Sequence, residues 1–383
     1  MRKTFKFKLK TYKSVETKLN YWLRLCQLLY NADLELRIKS YKETKKTTKI
    51  HLPTYKKEYP EYKQIRSQTL QDVQEKLDLS FENFFRRIKQ HKTPGFPRFK
   101  SITRYDSFTL KQNSWKLNDK YIEIKNIGKI KIRYSRLIEG VIKTITIKRS
   151  CGSWYILFSC DQVPLKPLPK TNKEVALDVG IKDFLTTSEG TKIKNPKFLK
   201  QSETKLIICQ QRVSRRKKGS NRRNKAKLLL SKSYEHLRNQ RSDFQSKLAK
   251  QLVTDYDRIY IEKLNNEQMT LKKSDKTLAN KQKHNINKSK SDVSWSSFFN
   301  KLKFKAEEAG KEVIEVNPSL TSQVCSKCGS KHKIPLSQRT FKCPNCNYIE
   351  DRDYNAAFNI LRAGQALQAI STSHMGATEN QYS

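Results

Sequence analysis

The stretch FKCPNCNYIEDRDYNAAFNI, Phe341 to Ile360, sets two cysteines, an Asp-Arg-Asp triplet and the opening of a helix within twenty residues. Either the aspartates only cap that helix, or they belong to an active site whose other members lie upstream. Cys343-x2-Cys346 has a counterpart, Cys325-x2-Cys328, fourteen residues before it. Four thiolates in two close pairs make a closed tetrahedral site for one structural Zn²⁺. Metal binding at such a site is worth about 10 kcal/mol of folding free energy. His332 lies between the pairs as a possible substitute ligand that four cysteines make unnecessary. The knuckle is either a structural staple or also a nucleic-acid contact through Lys327, Lys331, Lys333 and Arg339.

Working back from the cysteines, strand and helix patterns alternate. EVALDVG is a short apolar strand reaching Asp178, and IKDFLTTSEGTKIKN supplies two more strands around Glu189-Gly190, which predicts a meander. A helical pair broken at Gly219-Ser220-Asn221 follows; its second arm carries Leu230, Tyr234, Leu237, Phe244, Leu248 and Leu252 on one face. Then come the strand RIYIEKL with Glu262, a lysine-rich segment from Thr270 to Ser291, the helix WSSFFNKLKFKAEEAG and the strand KEVIEVN. The lysine-rich segment is polar and expected to pack poorly; a lid over a site is one reading of it. Beyond the cysteines, DYNAAFNILRAG is a last helix with Gly364 as its expected C-cap, and residues 365–383 are expected to be a disordered tail. Strand, strand, strand, helices, strand, helix, strand, helix is the order of an RNase H-like fold around a mixed sheet.

Three acids occupy the ends of these elements. Asp178 ends one strand, Glu262 lies in another 84 residues on, and Asp353 opens the last helix 91 residues further. Singly they read as a turn former, a solvent-facing strand residue and a helix N-cap. Together they occupy positions where such a sheet brings carboxylates to one edge, and their repulsion there can be relieved by Mg²⁺. Hard carboxylate oxygens suit that ion, and a pair of Mg²⁺ can activate water against a phosphodiester.

The first 165 residues have a different texture. MRKTFKFKLKTYKS alternates Phe5, Phe7 and Leu9 with basic residues, which is a strand and not a signal peptide. Helical stripes follow at Trp22, Leu25, Cys26 and Leu29, and at Leu70, Val73, Leu77, Phe81, Phe84 and Ile88. Between them Lys39–Lys63, with two prolines, is expected to be irregular. From His91 onward YIEIK, GKIKI, VIKTITIKRS and SWYILFSC read as a small β-barrel joined by the N-terminal strand. VPLKPLPKTNK, Val163 to Lys173, marks a domain boundary.

Eighty Lys and Arg against 36 Asp and Glu leave a formal charge of +44 on a chain with enough apolar residues, 36%, to fold. Such an excess self-repels unless a polyanion neutralises it, so nucleic acid is the expected partner and a membrane surface the weaker alternative. The longest apolar run is Trp154–Phe158, far short of the 18 or so residues of a membrane span. Cys26, Cys151, Cys160 and Cys209 are scattered singly, which fits a reducing interior and not a disulfide framework.

ALDVGIKD, IYIEKLN, NPSLTSQVCSKCGS and FKCPNCNYIEDRDYNAAFNI resemble the RuvC-type nuclease and zinc-ribbon motifs of the TnpB family, the nucleases of bacterial insertion sequences ancestral to compact type V CRISPR effectors. GFPRFKS, Gly95 to Ser101, resembles the family's wedge motif, which implies Arg98 and Lys100 as nucleic-acid contacts, and is equally readable as a Pro-Gly turn with Arg98 and Lys100 incidental. The resemblance implies an α+β multidomain protein. A β-barrel wedge would comprise 1–12 and 93–165, a helical recognition domain 13–92, a RuvC domain 171–324 and 349–364, a zinc ribbon 325–348 and a tail 365–383. It implies Asp178, Glu262 and Asp353 as catalytic residues holding Mg²⁺, with Asp353 favoured over Asp351 because it directly precedes the x-Asn-Ala-Ala run. Cys325, Cys328, Cys343 and Cys346 would bind zinc. Arg339 is carried over as a phosphate contact, and Arg215, Arg216, Arg222 and Arg223, among nine basic residues between Arg212 and Lys227, would line the RNA or heteroduplex side. The implied activity is RNA-guided: binding of a transposon-encoded omega RNA, recognition of a target-adjacent motif and cleavage of double-stranded DNA at one RuvC site, in the bacterial cytoplasm at the nucleoid, with no protein oligomer required. A catalytically silent RNA-guided repressor is the alternative, against which the intact acidic triad argues. A guide RNA is a polyanion suited to +44, held by backbone shape in a basic channel.

Overall fold

The computed structural model describes residues 1–111, 114–264, 280–317, 323–332, 334–335 and 338–379, with 280–281 and 371–379 as backbone. Two compact units, Met1–Pro164 and Leu165–Ser383, divide inside the proline-bearing linker.

In the first unit, β1 (Lys3–Lys10) buries Phe5, Phe7 and Leu9 and exposes the lysines between them, the period-two pattern of a strand with one face on a core. It pairs antiparallel with β5 (Gly128–Arg133) and β7 (Ser153–Asp161) and so lies centrally in a seven-stranded sheet. The other strands are β2 (Ser107–Leu110), β3 (Trp115–Asn118), β4 (Tyr121–Ile124) and β6 (Val141–Ser150), in the order β2-β6-β7-β1-β5-β4-β3. The expected barrel is an open half-barrel: β2 and β3 are its edges, and no pairing joins them among the described residues.

Helices α1 (Lys13–Thr44) and α3 (Ser67–Lys89) bury Trp22, Leu25, Cys26 and Leu29, and Leu70, Val73 and Leu77, in the unit's core, with the Trp22 ring 5.6 Å from Phe108; of the rest of the predicted α3 stripe, Phe81 and Phe84 are half-buried and Ile88 is exposed. The helical and β segments therefore share one apolar core within the unit. The connector between the helices is not irregular as expected. α1 runs on to Thr44, and α2 (Leu52–Glu58) and a 3₁₀ turn (Pro60–Gln64) follow. Each has its proline in the first turn, where a missing N–H breaks no helical hydrogen bond. Tyr62, fully buried, donates its hydroxyl to the Leu25 carbonyl at 3.2 Å and anchors the segment.

The second unit is built on a five-stranded mixed sheet, β10-β9-β8-β11-β12. The meander β8 (Glu174–Val179), β9 (Asp183–Thr187) and β10 (Lys192–Lys194) is antiparallel, whereas β11 (Arg258–Glu262) runs parallel to both β8 and β12 (Glu312–Val316). On one face Val175, Leu177, Ile259 and Ile261 pack against α5 (Asn221–Asp255) and α7 (Trp295–Ala309). On the other, Ala176, Tyr260 and Val316 receive Ile360 from α8 (Arg352–Glu379).

Two expectations are corrected here. α8 does not stop at Gly364 but continues to Glu379, and Gln365 and Gln368 reach back to Glu174 and the Tyr260 hydroxyl. Gly364 is no cap; a Cβ there would lie 2.0 Å from the Tyr260 ring, so glycine is required by close approach of helix to sheet. Of the lysine-rich segment, 270–279 lies outside the described residues, and its remainder forms α6 (Asn280–Val293). That helix is tied down: the Arg241 guanidinium donates to Asp292 at 2.6 and 2.9 Å, and Asp292 in turn accepts the Leu199 amide that opens α4 (Phe198–Ser214).

Candidate active site and metal centre

Register brings the first two acids together. β8 and β11 pair in parallel at a constant offset of 84 residues, Arg258 beside Glu174 through Ile261 beside Leu177. The next step of that ladder places Glu262 beside Asp178 at the carboxyl ends of adjacent strands. Alternation then sets the face: Asp178 follows Ala176 and Glu262 follows Tyr260 onto the side covered by α8. The first turn of α8 delivers Asp353 to the same place.

The electrostatics agree. Burial pushes the Asp178 carboxyl well above its ordinary value, and the negative charges of Glu262 and Asp353 push it further, against the pull of Arg352 and the Val179 amide. A buried carboxylate facing two others is a donor set that a hard divalent cation would discharge.

Asp351 and Asp353 make different contacts. Asp351 Oδ1 accepts the backbone amides of Asp353 at 3.0 Å and Tyr354 at 3.2 Å, which is N-capping of α8, while Oδ2 accepts Lys192 Nζ at 2.5 Å. Burial raises the Asp351 carboxyl, but Lys192 and the two amides outweigh it and hold the group below its usual range. Asp353 has the Arg339 guanidinium at 3.5 Å from Oδ2.

Arg339 also lines a cavity of about 720 Å³. Its wall includes Ile181 and Lys182, just after Asp178, and Lys197, Lys200 and Lys288. The cavity thus adjoins the acids at one end, and its five cations outnumber its two acids, Glu203 and Asp292, the polarity a phosphate backbone fits.

The four cysteines form the second centre. Cys325 Sγ lies 3.7 Å from Cys346 Sγ, Cys328 Sγ lies 3.5 Å from Cys343 Sγ, and all four atoms fall within 4.8 Å of one another. A tetrahedron with Zn–S bonds of about 2.3 Å has edges of about 3.8 Å, so the donor set fits that ion. Both knuckles close the same way: the residue after the second cysteine, Gly329 or Asn347, takes a positive φ of 76° or 57°, conformations that glycine and asparagine tolerate. Thiols this close cannot all ionise without a cation. The Ser330 hydroxyl and amide draw Cys328 down to about 5, whereas Cys346 is pushed up to about 12, the Tyr348 amide being outweighed by burial and by its three sulfur neighbours. His332, expected at the surface, places Nε2 3.5 Å from Cys343 Sγ, beside the cluster and not within it.

The sequence reading missed the clasp between the two centres. Asn355, fully buried, accepts the Ser326 amide at 2.9 Å and donates to the Val324 carbonyl at 2.8 Å; Asn359 donates to the same carbonyl at 2.7 Å. Arg362 adds a bond to the Ser326 carbonyl, and the Arg352 amide bonds the Arg339 carbonyl. Asparagine in mid-helix is unfavourable, so its recurrence at i and i+4 in NAAFN was a signal of side-chain work.

The remaining predicted contacts fall elsewhere. At the turn between α4 and α5, Arg223 donates to the Arg216 carbonyl at 2.6 Å and Arg216 to the Arg222 carbonyl at 2.8 Å, so these two guanidiniums pin their own loop; Arg215 and Arg222 are exposed. In the first unit Arg98 is exposed, but Lys100 sits 4.2 Å over the Tyr30 ring, where burial lowers its pKa. Lys327 and Lys331 are exposed on the cysteine module, and Lys333 lies outside the described residues.

Residues 157–288 match the family described as "Probable transposase" (OrfB_IS605), and 295–360 match the "Cas12f1-like, TNB domain". A "Putative RNA-guided DNA endonuclease" of Streptomyces pristinaespiralis is 30% identical over 96% of this chain and 91% of its own. The "Putative RNA-guided DNA endonuclease InsQ" of Escherichia coli K12 is 32% identical over 79% and 76%. The "CRISPR-associated endodeoxyribonuclease Cas12f1" of Sulfoacidibacillus thermotolerans is 30% identical over 55% and 50%. A solved Cas12f1–sgRNA–target DNA complex covers 94% of this chain and 98% of its own at 18% identity, with a TM-score of 0.37, too loose to bear on the site. These relatives, together with the TnpB-like proteins of a mimivirus and of Methanocaldococcus jannaschii that also match, place the chain in the TnpB family.

Proposed function

We propose that this chain is an RNA-guided DNA endonuclease that holds a guide RNA encoded by its own insertion sequence, pairs it with one strand of a duplex and cuts both strands at a single RuvC-type site. The observation that carries the reading is the meeting of Asp178, Glu262 and Asp353 at one edge of the second unit's sheet. An antiparallel meander continued by parallel strands, with a helix delivering the last acid, supports an RNase H-like nuclease core.

Asp178, Glu262 and Asp353 would hold Mg²⁺, and Cys325, Cys328, Cys343 and Cys346 would hold one Zn²⁺. Bound Mg²⁺ supplies an acidified water and neutralises charge on a leaving 3′-oxygen. The chain's own part is placement. Lys182, Lys197, Lys200 and Arg339 offer charge to a phosphate backbone in the adjoining cavity. Asp351 fixes the start of α8, and Asn355 ties the cysteine module to that helix, so folding of the module also positions Asp353. The excess of positive charge, +44, serves the RNA and the heteroduplex.

Protein co-expressed with its element's flanking region should retain a defined RNA and cut a duplex only when guide complement and target-adjacent motif are both present. Cutting without a guide, or the absence of any retained RNA, contradicts the proposal.

A further inference from the structure

The end of α3 and the loop after it carry a surface that the nuclease reading leaves unused. Phe85, Ile88, Phe96 and Phe99 are 54%, 46%, 49% and 54% exposed, an unusual concentration of large apolar side chains in water. Two of the aromatic members, Phe96 and Phe85, are held by neighbouring rings. Phe96 meets Phe81 at 5.7 Å and Phe84 at 5.4 Å, with interplanar angles of 88° and 82°, so its ring is fixed edge-on by two neighbours while half of it faces solvent. Phe85 is held against Phe84 at 5.2 Å.

Charge selects the occupant. From Leu79 to Arg104 the chain carries seven Lys and Arg against one acid, Glu82. Six of those cations, Arg86, Arg87, Lys89, Lys92, Arg98 and Arg104, are exposed. A second copy of this chain would set like charge against like across the same patch. Fixed aromatic faces among cations are instead the composition of a platform on which unpaired bases stack while their phosphates are neutralised.

We propose that Phe96, Phe99 and Phe85, with the surrounding arginines and lysines, form a base-stacking platform for an unpaired stretch of the guide RNA. The first unit contains none of the clustered carboxylates, so a strand bound there is held and not cut. The inference rests on the RNA-guided reading only for which strand occupies the platform.

The test uses full-length RNA-free protein, a labelled twelve-residue oligouridylate and an abasic oligomer of equal length. Phe99, whose ring meets no other aromatic ring among the described residues, is changed to Leu, which keeps apolar area, and to Trp, which keeps a stacking face; unchanged melting temperatures verify folding. Phe99→Leu should weaken oligouridylate binding about tenfold, the loss expected for one stacked base. Phe99→Trp should restore it, and neither should change binding of the abasic oligomer. Protein carrying its co-expressed RNA should no longer bind the oligouridylate in a Phe99-dependent way. Equal loss with the abasic oligomer, no loss in Phe99→Leu, persistent Phe99-dependent binding by RNA-loaded protein, or a wild-type dimer that Phe99→Leu dissociates in sedimentation would each overturn the platform. Failure of guided cutting in the same preparations would be seen separately and bears on the nuclease, not on the platform.

Discussion

Replacing Asp351 and Asp353 one at a time should have unequal consequences although the two lie on one helical turn. Asp351→Ala removes an N-cap whose Oδ1 holds two amides at 3.0 and 3.2 Å, worth about 1 kcal/mol. It also removes the bond to Lys192; with side chains 38% and 33% exposed, that pair is screened and adds only about 0.5 kcal/mol. If the whole of this sum, about 1.5 kcal/mol, fell on the placement of Asp353, cutting would slow by about tenfold. Asp351→Asn, which keeps a capping oxygen, should lose less. Asp353→Ala removes a proposed metal ligand and should abolish cutting while leaving RNA retention intact. The assay is single-turnover cleavage of a matched linear duplex by RNA-loaded protein in Mg²⁺, with melting temperatures alongside. Cutting at wild-type speed by Asp353→Ala, with Asp351→Ala silent, would refute the separation of cap from ligand.

Elemental analysis should find one zinc per chain, and Cys343→Ser should lose it together with the folding of the cysteine module; full zinc content in that variant would contradict the four-sulfur site. Gly364→Ala gains about 1 kcal/mol of helix propensity but drives a methyl into the Tyr260 ring, an overpacking cost of about 1–3 kcal/mol, so the urea midpoint should fall. A raised midpoint would mean that helix and sheet are not so close. Asp257 accepts Lys311, whose side chain is 3% exposed, and the Thr171 and Asn172 amides; these bonds, Lys311 first, hold its carboxyl far below the usual range. Its contribution is therefore complete above the unfolded carboxyl pKa of about 4 and lost as pH falls toward the folded value. Asp257→Asn, which leaves the buried Lys311 charge bonded to the Pro169 carbonyl but without its counter-charge, should cost about 3 kcal/mol at neutral pH and flatten the stability profile below pH 4; an unchanged acid limb would contradict this.

Much of the site was legible because its signals are local. The Cys-x2-Cys pairs, the apolar strand run before Asp178 and the alternation of RIYIEKL each state their own geometry within a few residues. Lys192 and Asn355 were not legible, since their work is done across 159 and 29 residues of separation and leaves no periodic trace. Gly364 was misread for a related reason. A glycine near the end of an apolar stripe ordinarily caps a helix, and only the Tyr260 ring on the neighbouring sheet shows why one is needed in mid-helix. The connector before α3 looked irregular because its prolines were weighed as breakers; they stand in first turns, where they are harmless. Ile88 continues the core stripe of α3 by spacing, yet in the helix's last turn it is exposed.

The central claim is that the three carboxylates form the cutting site's metal centre. Crystals of the chain bound to its RNA and a matched duplex, soaked with Mn²⁺, answer it through anomalous scattering. Manganese should appear between Asp178, Glu262 and Asp353, distinct from zinc among the four cysteines. Manganese elsewhere in a complex that still cuts, with that edge of the sheet empty, would contradict the account.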